Sequence, residues 1–352
     1  MSAFTHRLAV LAAAALLVCP AAAAAGEREA PGAGPLPAGA NLDYPDVVLQ
    51  GPPAQMRTAR ATSRAARSYA AAGGHSVQVE VSTSYPDDPA VDQKLVDFLG
   101  SRLHGDELSG LRVFVGTPSE IGRLCGGQGA LACYSISEAR MYVPGEAVEG
   151  IPVEYPLTHE YGHHLASWRL NTPWDAVDWG PKHWASAARV CTYVRKGLLF
   201  PGNQGAHYLD DPGEGFADGY AHLHYPNVGW QYNELMRPRP ALFKAIRRDA
   251  LQPWTAPRRR TFTGRVGPGQ AKRTFHIRVA LDGDLKLRLA APPGAVYEVE
   301  AQTRGFAAGR RLGDGRGFGV EWCRRRAVET VKLTVRRRSG AGPFALRVSW
   351  AG

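Results

Sequence analysis

Residues 158–164 read T-H-E-Y-G-H-H, and this short stretch decides how the chain is interpreted. On a helix, residues four positions apart lie on the same face one turn apart, so the imidazoles of His159 and His163 can both reach one Zn²⁺ ion. Glu160 stands beside the first histidine, where a carboxylate can take a proton from metal-bound water. In a chain of this composition, chance produces H-E-x-x-H only about 0.015 times. We therefore predict an apolar, zinc-binding helix over residues 156–168.

Two histidines leave a tetrahedral site incomplete, so a third protein ligand must come from elsewhere. Residues 211–218 read D-P-G-E-G-F-A-D, in which Glu214 and Asp218 share a helical face. We predict that Glu214 binds the metal and that Asp218 accepts the free ring N–H of His159. The competing third ligands are His183, His207, Asp210 and Asp211. The last two can instead cap the start of a helix.

These motifs resemble the gluzincin branch of the zincin metallopeptidases, thermolysin-like in the broad sense, in which H-E-x-x-H is followed by E-x-x-x-D on a second helix. The resemblance covers roughly residues 76–250 and rests on the five positions His159, Glu160, His163, Glu214 and Asp218. It implies an α+β zincin-like catalytic domain that uses Zn²⁺ and Glu160 as general base to hydrolyse peptide bonds. One departure is the much longer spacing between the second histidine and the glutamate, so we expect a folded insertion there.

Hydrolysis of this kind also needs a donor that stabilises the developing oxyanion. The candidates near the second motif are Tyr208, His207, Tyr220, His222 and His224. Each has an alternative role as a packed aromatic residue or a surface histidine. Tyr208 is retained as a candidate catalytic residue.

The N-terminal quarter of the chain divides into two segments of different composition. Residues 1–25 have the basic start, apolar run and small residues of a secretory signal peptide. Residues 26–75 are rich in Ala, Pro, Gly and Arg without a sustained apolar period, and we expect a disordered linker or pro-segment with no packed core. Their position also raises the hypothesis that they inhibit the catalytic domain until they are cleaved.

Residues 258–352 change to a period of two, as in Phe275, Ile277 and Val279, with Gly- and Pro-rich turns between the runs. This pattern predicts an all-β sandwich of the jelly-roll kind. The segment is similar to the pre-peptidase C-terminal domains of secreted bacterial peptidases, chiefly through the closing stretch 342–348. It holds 21 Lys and Arg against 7 Asp and Glu. This charge has two interpretations: the segment contacts an anionic surface or glycan, or it is a solvated basic face without a partner.

Cysteine usage and charge limit the remaining function classes. An oxidising compartment and four cysteines beyond residue 25 favour two disulfides, for which we prefer Cys125 with Cys133 and Cys191 with Cys323. Beyond the N-terminus, no stretch is long and apolar enough to span a membrane. The excess of Arg over Lys fits a biased genome composition, and we expect no specific nucleic-acid partner.

We therefore predict a secreted, monomeric zinc metalloendopeptidase that acts on proteins or peptides. The alternative is a secreted adhesion or carbohydrate- or surface-binding protein in which the zinc site is structural and not catalytic.

Overall fold

The structure is a computed structural model that describes residues 26–32, 34, 36, 46–54, 62–127 and 129–352. The predicted signal peptide lies outside the described residues. Within them, no helix is long and apolar enough to cross a membrane.

A six-stranded mixed sheet forms the first layer of the N-terminal part. Its strands are β1 Asp46–Leu49, β2 Arg67–Ala70, β3 Ser76–Val81, β4 Arg112–Gly116, β5 Ala132–Ser135 and β6 Arg140–Pro144. Their order across the sheet is β1-β5-β6-β4-β3-β2. The pairs β1–β5, β3–β4 and β4–β6 are parallel, whereas β2–β3 and β5–β6 are antiparallel. Both β1 and β2 are therefore edge strands.

Helices cover both faces of this sheet. They are α1 Pro89–Gly100, α2 Pro118–Leu124, α3 Glu154–Ser167, α4 Ala176–Trp179, α5 Lys182–Ala188, α6 Val190–Val194, α7 Pro212–His224 and α8 Pro240–Leu251. Short 3-10 turns lie at Ala72–Gly74, Asp106–Gly110, Tyr208–Asp210 and Glu234–Met236. Helix α3 packs against β5, β6 and α7, so it is buried on nearly every side. The expected insertion before α7 is folded, since it contains α4, α5 and α6.

The expectation that residues 26–75 contain no packed structure is wrong for β1 and β2. Strand β2 pairs with β3, and β1 pairs with β5 in parallel register from Asp46 opposite Ala132 to Leu49 opposite Ser135. Edge strands of four residues are held mainly by backbone hydrogen bonds to an existing sheet, so they need no long apolar period. The remaining predicted segment boundaries stay predictions.

The C-terminal part contains two antiparallel four-stranded sheets with a hydrophobic core between them. One sheet has the order β11-β10-β13-β8 and the other β12-β9-β14-β7. The strands are β7 Arg258–Val266, β8 Lys272–Val279, β9 Gly283–Ala290, β10 Val296–Thr303, β11 Phe306–Leu312, β12 Gly317–Trp322, β13 Glu329–Ser339 and β14 Gly342–Trp350. Their inward residues alternate along each strand, as the period of two predicts.

Polar and covalent contacts fix the two parts to each other. Both predicted disulfides are present, and Cys191–Cys323 joins α6 to the segment after β12. The buried Lys182 ammonium donates to the carbonyls of Thr172 at 2.7 Å and Asp282 at 3.0 Å. These bonds satisfy a buried charge at the junction, which therefore holds the C-terminal sheets close to α5.

Candidate metal centre

Helix α3 places both histidines of the H-E-x-x-H motif on one face. His159 and His163 are buried, and their ring centroids lie 5.1 Å apart. The Nε2 atoms of both rings face the same pair of carboxylates. The spacing of four residues therefore produces the shared face that the sequence predicts.

Helix α7 brings Glu214 to this face. Its Oε2 atom lies 3.4 Å from His159 Nε2 and 3.2 Å from His163 Nε2. Asp211 caps the helix by accepting the Gly213 N–H at 2.8 Å, so the first turn that carries Glu214 has a defined start.

The close approach of α3 and α7 depends on a glycine inside the motif. A Cβ atom at Gly162 would lie 2.7 Å from the Cα and 3.1 Å from the Cβ of Ala217. Neither atom is the end of a flexible side chain. Only glycine fits here without separating the helices, so the motif residue between Glu160 and His163 helps to set where the glutamate stands.

A fourth group, Asp46 at the start of β1, completes the cluster. Its Oδ2 atom lies 3.1 Å from the Nε2 atom of each histidine, and its side chain is fully buried. The phenol of Tyr208 donates to its Oδ1 atom. Asp46 is not among the site residues predicted from the sequence. The only local signal is the run Val47-Val48-Leu49 behind it, a short apolar run in an otherwise polar and Ala-rich segment.

The charges of these groups stabilise one another. Burial opposes the charged form of His163, but Glu214 and Asp46 outweigh this effect and raise its pKa to about 10. The pKa of His159 is also raised, because Asp46 and the other carboxylates outweigh burial. Burial would raise the pKa of Asp46, but the two histidines hold it well below its usual range. The pocket therefore strongly favours positive charge between its carboxylates.

Glu160 lies beside this cluster without a hydrogen bond. It is completely buried, and neither of its oxygens has a hydrogen-bond partner among the described residues. Burial, followed by repulsion from Asp46, raises its pKa well above the ordinary value. Unpartnered buried carboxyls are rare in folded proteins and concentrate at functional sites.

Asp218 lies one helical turn behind Glu214 and next to the first histidine. Its Oδ1 atom is 3.7 Å from His159 Nδ1 and accepts the Tyr155 hydroxyl. His222 Nδ1 lies 3.3 Å from the other carboxylate oxygen. Burial opposes ionisation, but the two histidines lower the pKa of Asp218 to about 2. The carboxylate is thus placed to orient the His159 ring.

The other residues considered from the sequence lie in different surroundings. Tyr208 is beside the site and contacts the Tyr232 hydroxyl at 2.8 Å. Tyr220 donates to the Leu103 carbonyl, and His222 faces Asp218 and the Val228 carbonyl. The remaining candidates make contacts that involve none of the four cluster residues; they are His183, His207, Asp210 and His224.

The donor set fits a divalent cation. Two imidazole nitrogens and two carboxylate oxygens, contributed by Asp46, His159, His163 and Glu214, all lie within 4.8 Å of one another and are buried. Nitrogen and oxygen donors of this kind bind Zn²⁺ and other first-row metal ions. The described residues thus contain a buried Asp, His, His, Glu group that can hold a metal.

Comparison with known structures finds distant neighbours. The sequence matches no family model and no curated protein. A metallopeptidase, IMPa from Pseudomonas aeruginosa, aligns over 71% of this chain and 38% of its own at 11% identity, with a TM-score of 0.22. The pre-peptidase C-terminal domain of a Bacillus anthracis collagenase aligns over 25% of this chain and 87% of its own at 14% identity, with a TM-score of 0.21. A mitogen from Yersinia pseudotuberculosis aligns over 27% of this chain and 86% of its own at 15% identity, with a TM-score of 0.22. Because these TM-scores are low, we infer the function from the geometry of the site and not from the neighbours.

Proposed function

We propose that the protein is a secreted zinc metallopeptidase with its active site at the α3–α7 contact. The observation that carries the proposal is the buried cluster around His159, His163 and Glu214, with the Glu160 carboxyl beside it and without a hydrogen-bond partner in the part of the chain that the structure describes. Structural zinc sites have no need of such a carboxyl, whereas hydrolytic sites need a base within reach of the bound water. The E-x-x-x-D and H-E-x-x-H motifs support the gluzincin-like assignment and the zincin-like fold class.

In this proposal the protein side chains have separate tasks. His159, His163 and Glu214 hold the zinc, which when bound polarises a carbonyl and lowers the pKa of water to about 7. Glu160 would accept a proton from the attacking water, and its burial away from solvent suits it to pass that proton to the leaving amine. Asp218 keeps the tautomer of His159 in which Nε2 faces the metal. Tyr208 is the candidate donor to the oxyanion.

The second candidate function is a structural zinc site in a secreted adhesion or glycan-binding protein. One observation favours it, because Asp46 provides a fourth protein donor and closed four-ligand sites are typical of structural zinc. The basic C-terminal part offers a surface for an anionic glycan in either case. On its outer face, Arg288 lies directly opposite Arg347 on the neighbouring strand.

Substitution of the proposed base tests the first function. Because Asp46 fills one position at the site, the experiment compares Asp46→Ala with Asp46→Ala/Glu160→Gln, both loaded with zinc, using casein as substrate. We expect the added Glu160→Gln change to lower the rate by about 10²–10⁴-fold with zinc content unchanged. The exposed Glu234→Gln change, added to the same background, is the matched control. Equal rates with and without Glu160, or no hydrolysis by any zinc-loaded form, would contradict the proposal.

A further inference from the structure

The position of Asp46 is unusual for an active-site residue. It belongs to the N-terminal segment and lies 117 residues before His163, yet its side chain is as buried as the histidines themselves. Its carboxylate contacts both histidines and accepts the hydroxyl of Tyr208, which is the proposed oxyanion donor. A hydrolytic zinc site keeps one position for water and substrate beside three protein ligands, whereas Asp46 brings the protein donors of this cluster to four.

Strand β1 holds Asp46 in place in the manner of a bound peptide. It pairs along the outer edge of β5, and the Ile136 N–H donates to the Leu49 carbonyl at 2.9 Å. The Gln204 side chain accepts the Val48 N–H at 3.0 Å. The apolar residues on either side, Val47 and Leu49, are only partly buried. Strand addition at an open sheet edge is a general way in which proteins bind extended peptides.

The segment is attached to the rest of the fold by few other groups. Ser135 Oγ donates to the Gly51 carbonyl at 3.1 Å, and farther upstream Arg28 forms a buried ion pair with Asp92. The contacts of β1 are thus backbone hydrogen bonds, the Asp46 carboxylate, and the packing of the partly buried Val47 and Leu49 against a small satellite cluster that includes Cys133. Such an element can leave without opening the main hydrophobic core, to which none of its residues belongs.

We propose that the chain is latent, with residues 46–49 occupying the peptide-binding edge of β5 and Asp46 blocking the metal position that a substrate must reach. This inference rests on the proposed function. Release of the segment frees three elements together: the fourth position, the β5 edge and the Tyr208 hydroxyl. It also explains four protein donors in a site that has a buried general base.

The test uses the full chain, loaded with zinc, and acetohydroxamate as a small metal-binding probe. We compare wild type with Asp46→Ala and Asp46→Asn, and with Asp87→Ala as an exposed aspartate control outside the segment. Calorimetry should show at least a 10-fold tighter association of the probe with both Asp46 variants than with wild type, while one zinc per chain is retained. Gln204→Ala, which weakens β1 without touching a metal donor, should shift binding in the same direction.

The outcomes separate this inference from the proposed function. Equal probe binding in wild type and the Asp46 variants, or loss of zinc from the variants, overturns latency; zinc loss identifies Asp46 as a structural ligand. Tighter probe binding without casein hydrolysis supports the blocked position and contradicts the peptidase assignment. Equal casein hydrolysis by wild type and Asp46→Ala leaves the peptidase standing and overturns latency. If Asp46→Ala does not fold, Asp46→Asn and Gln204→Ala decide the question.

Discussion

Replacing Gly162 with alanine tests whether the contact between α3 and α7 sets the geometry of the site. The new Cβ atom would lie 2.7 Å from Ala217 Cα, a distance that real Cβ contacts essentially never show. The helices must separate by several tenths of an ångström, and overpacking of this kind costs about 1–3 kcal/mol. Alanine recovers about 1 kcal/mol of helix propensity. Because the clash is with backbone, we take the upper part of the range and expect a net loss of about 1–2 kcal/mol.

The same separation moves Glu214 away from the two histidines. Metal sites require their donors to be held within about 0.5 Å of the productive position, so we expect zinc affinity to fall at least about 10-fold. Urea unfolding followed by circular dichroism measures the stability, and competition with a fluorescent chelator measures the zinc affinity.

Gly219→Ala on α7 is the matched control. Its Cβ atom would meet only side-chain atoms at 3.6 Å or more, which is an ordinary contact distance. We expect this variant to gain up to about 1 kcal/mol and to bind zinc normally. If Gly162→Ala is as stable as Gly219→Ala and binds zinc equally well, the close approach of the two helices does not govern the site.

Three further predictions concern acid stability, the disulfide and the orienting carboxylate. Burial, with help from Arg102, lowers the pKa of His224 from 6.5 to about 4, so the free energy of unfolding falls by up to about 3 kcal/mol as the pH drops from 6.5 towards 4. His224→Gln should make the free energy of unfolding in urea depend less on pH between 7 and 4.5, and an unchanged slope would refute this. Replacing Cys191 and Cys323 with serine removes a link across 132 residues and should cost about 4–5 kcal/mol by calorimetry; a loss below 1 kcal/mol would show that the junction is held without it. Asp218→Asn should weaken zinc binding about 10–100-fold in a chelator competition, and unchanged affinity would remove its orienting role.

Local patterns were sufficient for most of the site. The spacing of His159 and His163 fixes a shared helical face, and the same rule puts Glu214 and Asp218 on one face of α7. The sequence distance between the two helices does not affect this rule, because the intervening α4, α5 and α6 fold and pack into the same hydrophobic core. The structure brings His159, His163 and Glu214 to one point, while the roles assigned to them remain predictions.

Asp46 could not be found by such reasoning. Its place depends on the parallel pairing of β1 with β5, a contact between residues far apart in the chain that leaves no periodic signal. The same limit applies to β2, which pairs through its backbone although its side chains are mostly exposed. Edge strands gain little from side-chain burial, so composition describes them poorly.

The C-terminal strands show where a period of two is informative. Strands β8, β9, β13 and β14 alternate buried apolar with exposed residues and were predicted from that pattern. Strands β11 and β12 are short and contain glycine, and only the last residue of each is buried. They complete the two sheets through pairing with β10 and β9, which the sequence pattern does not record.

The central claim is that two imidazoles and a distant carboxylate bind one metal ion, and diffraction at the zinc absorption edge tests it most directly. Crystals of the zinc-loaded full chain should show a single strong anomalous peak about 2.0–2.2 Å from His159 Nε2, His163 Nε2 and a Glu214 oxygen. Absence of a peak at this position, or a peak bound by other residues, would contradict the account.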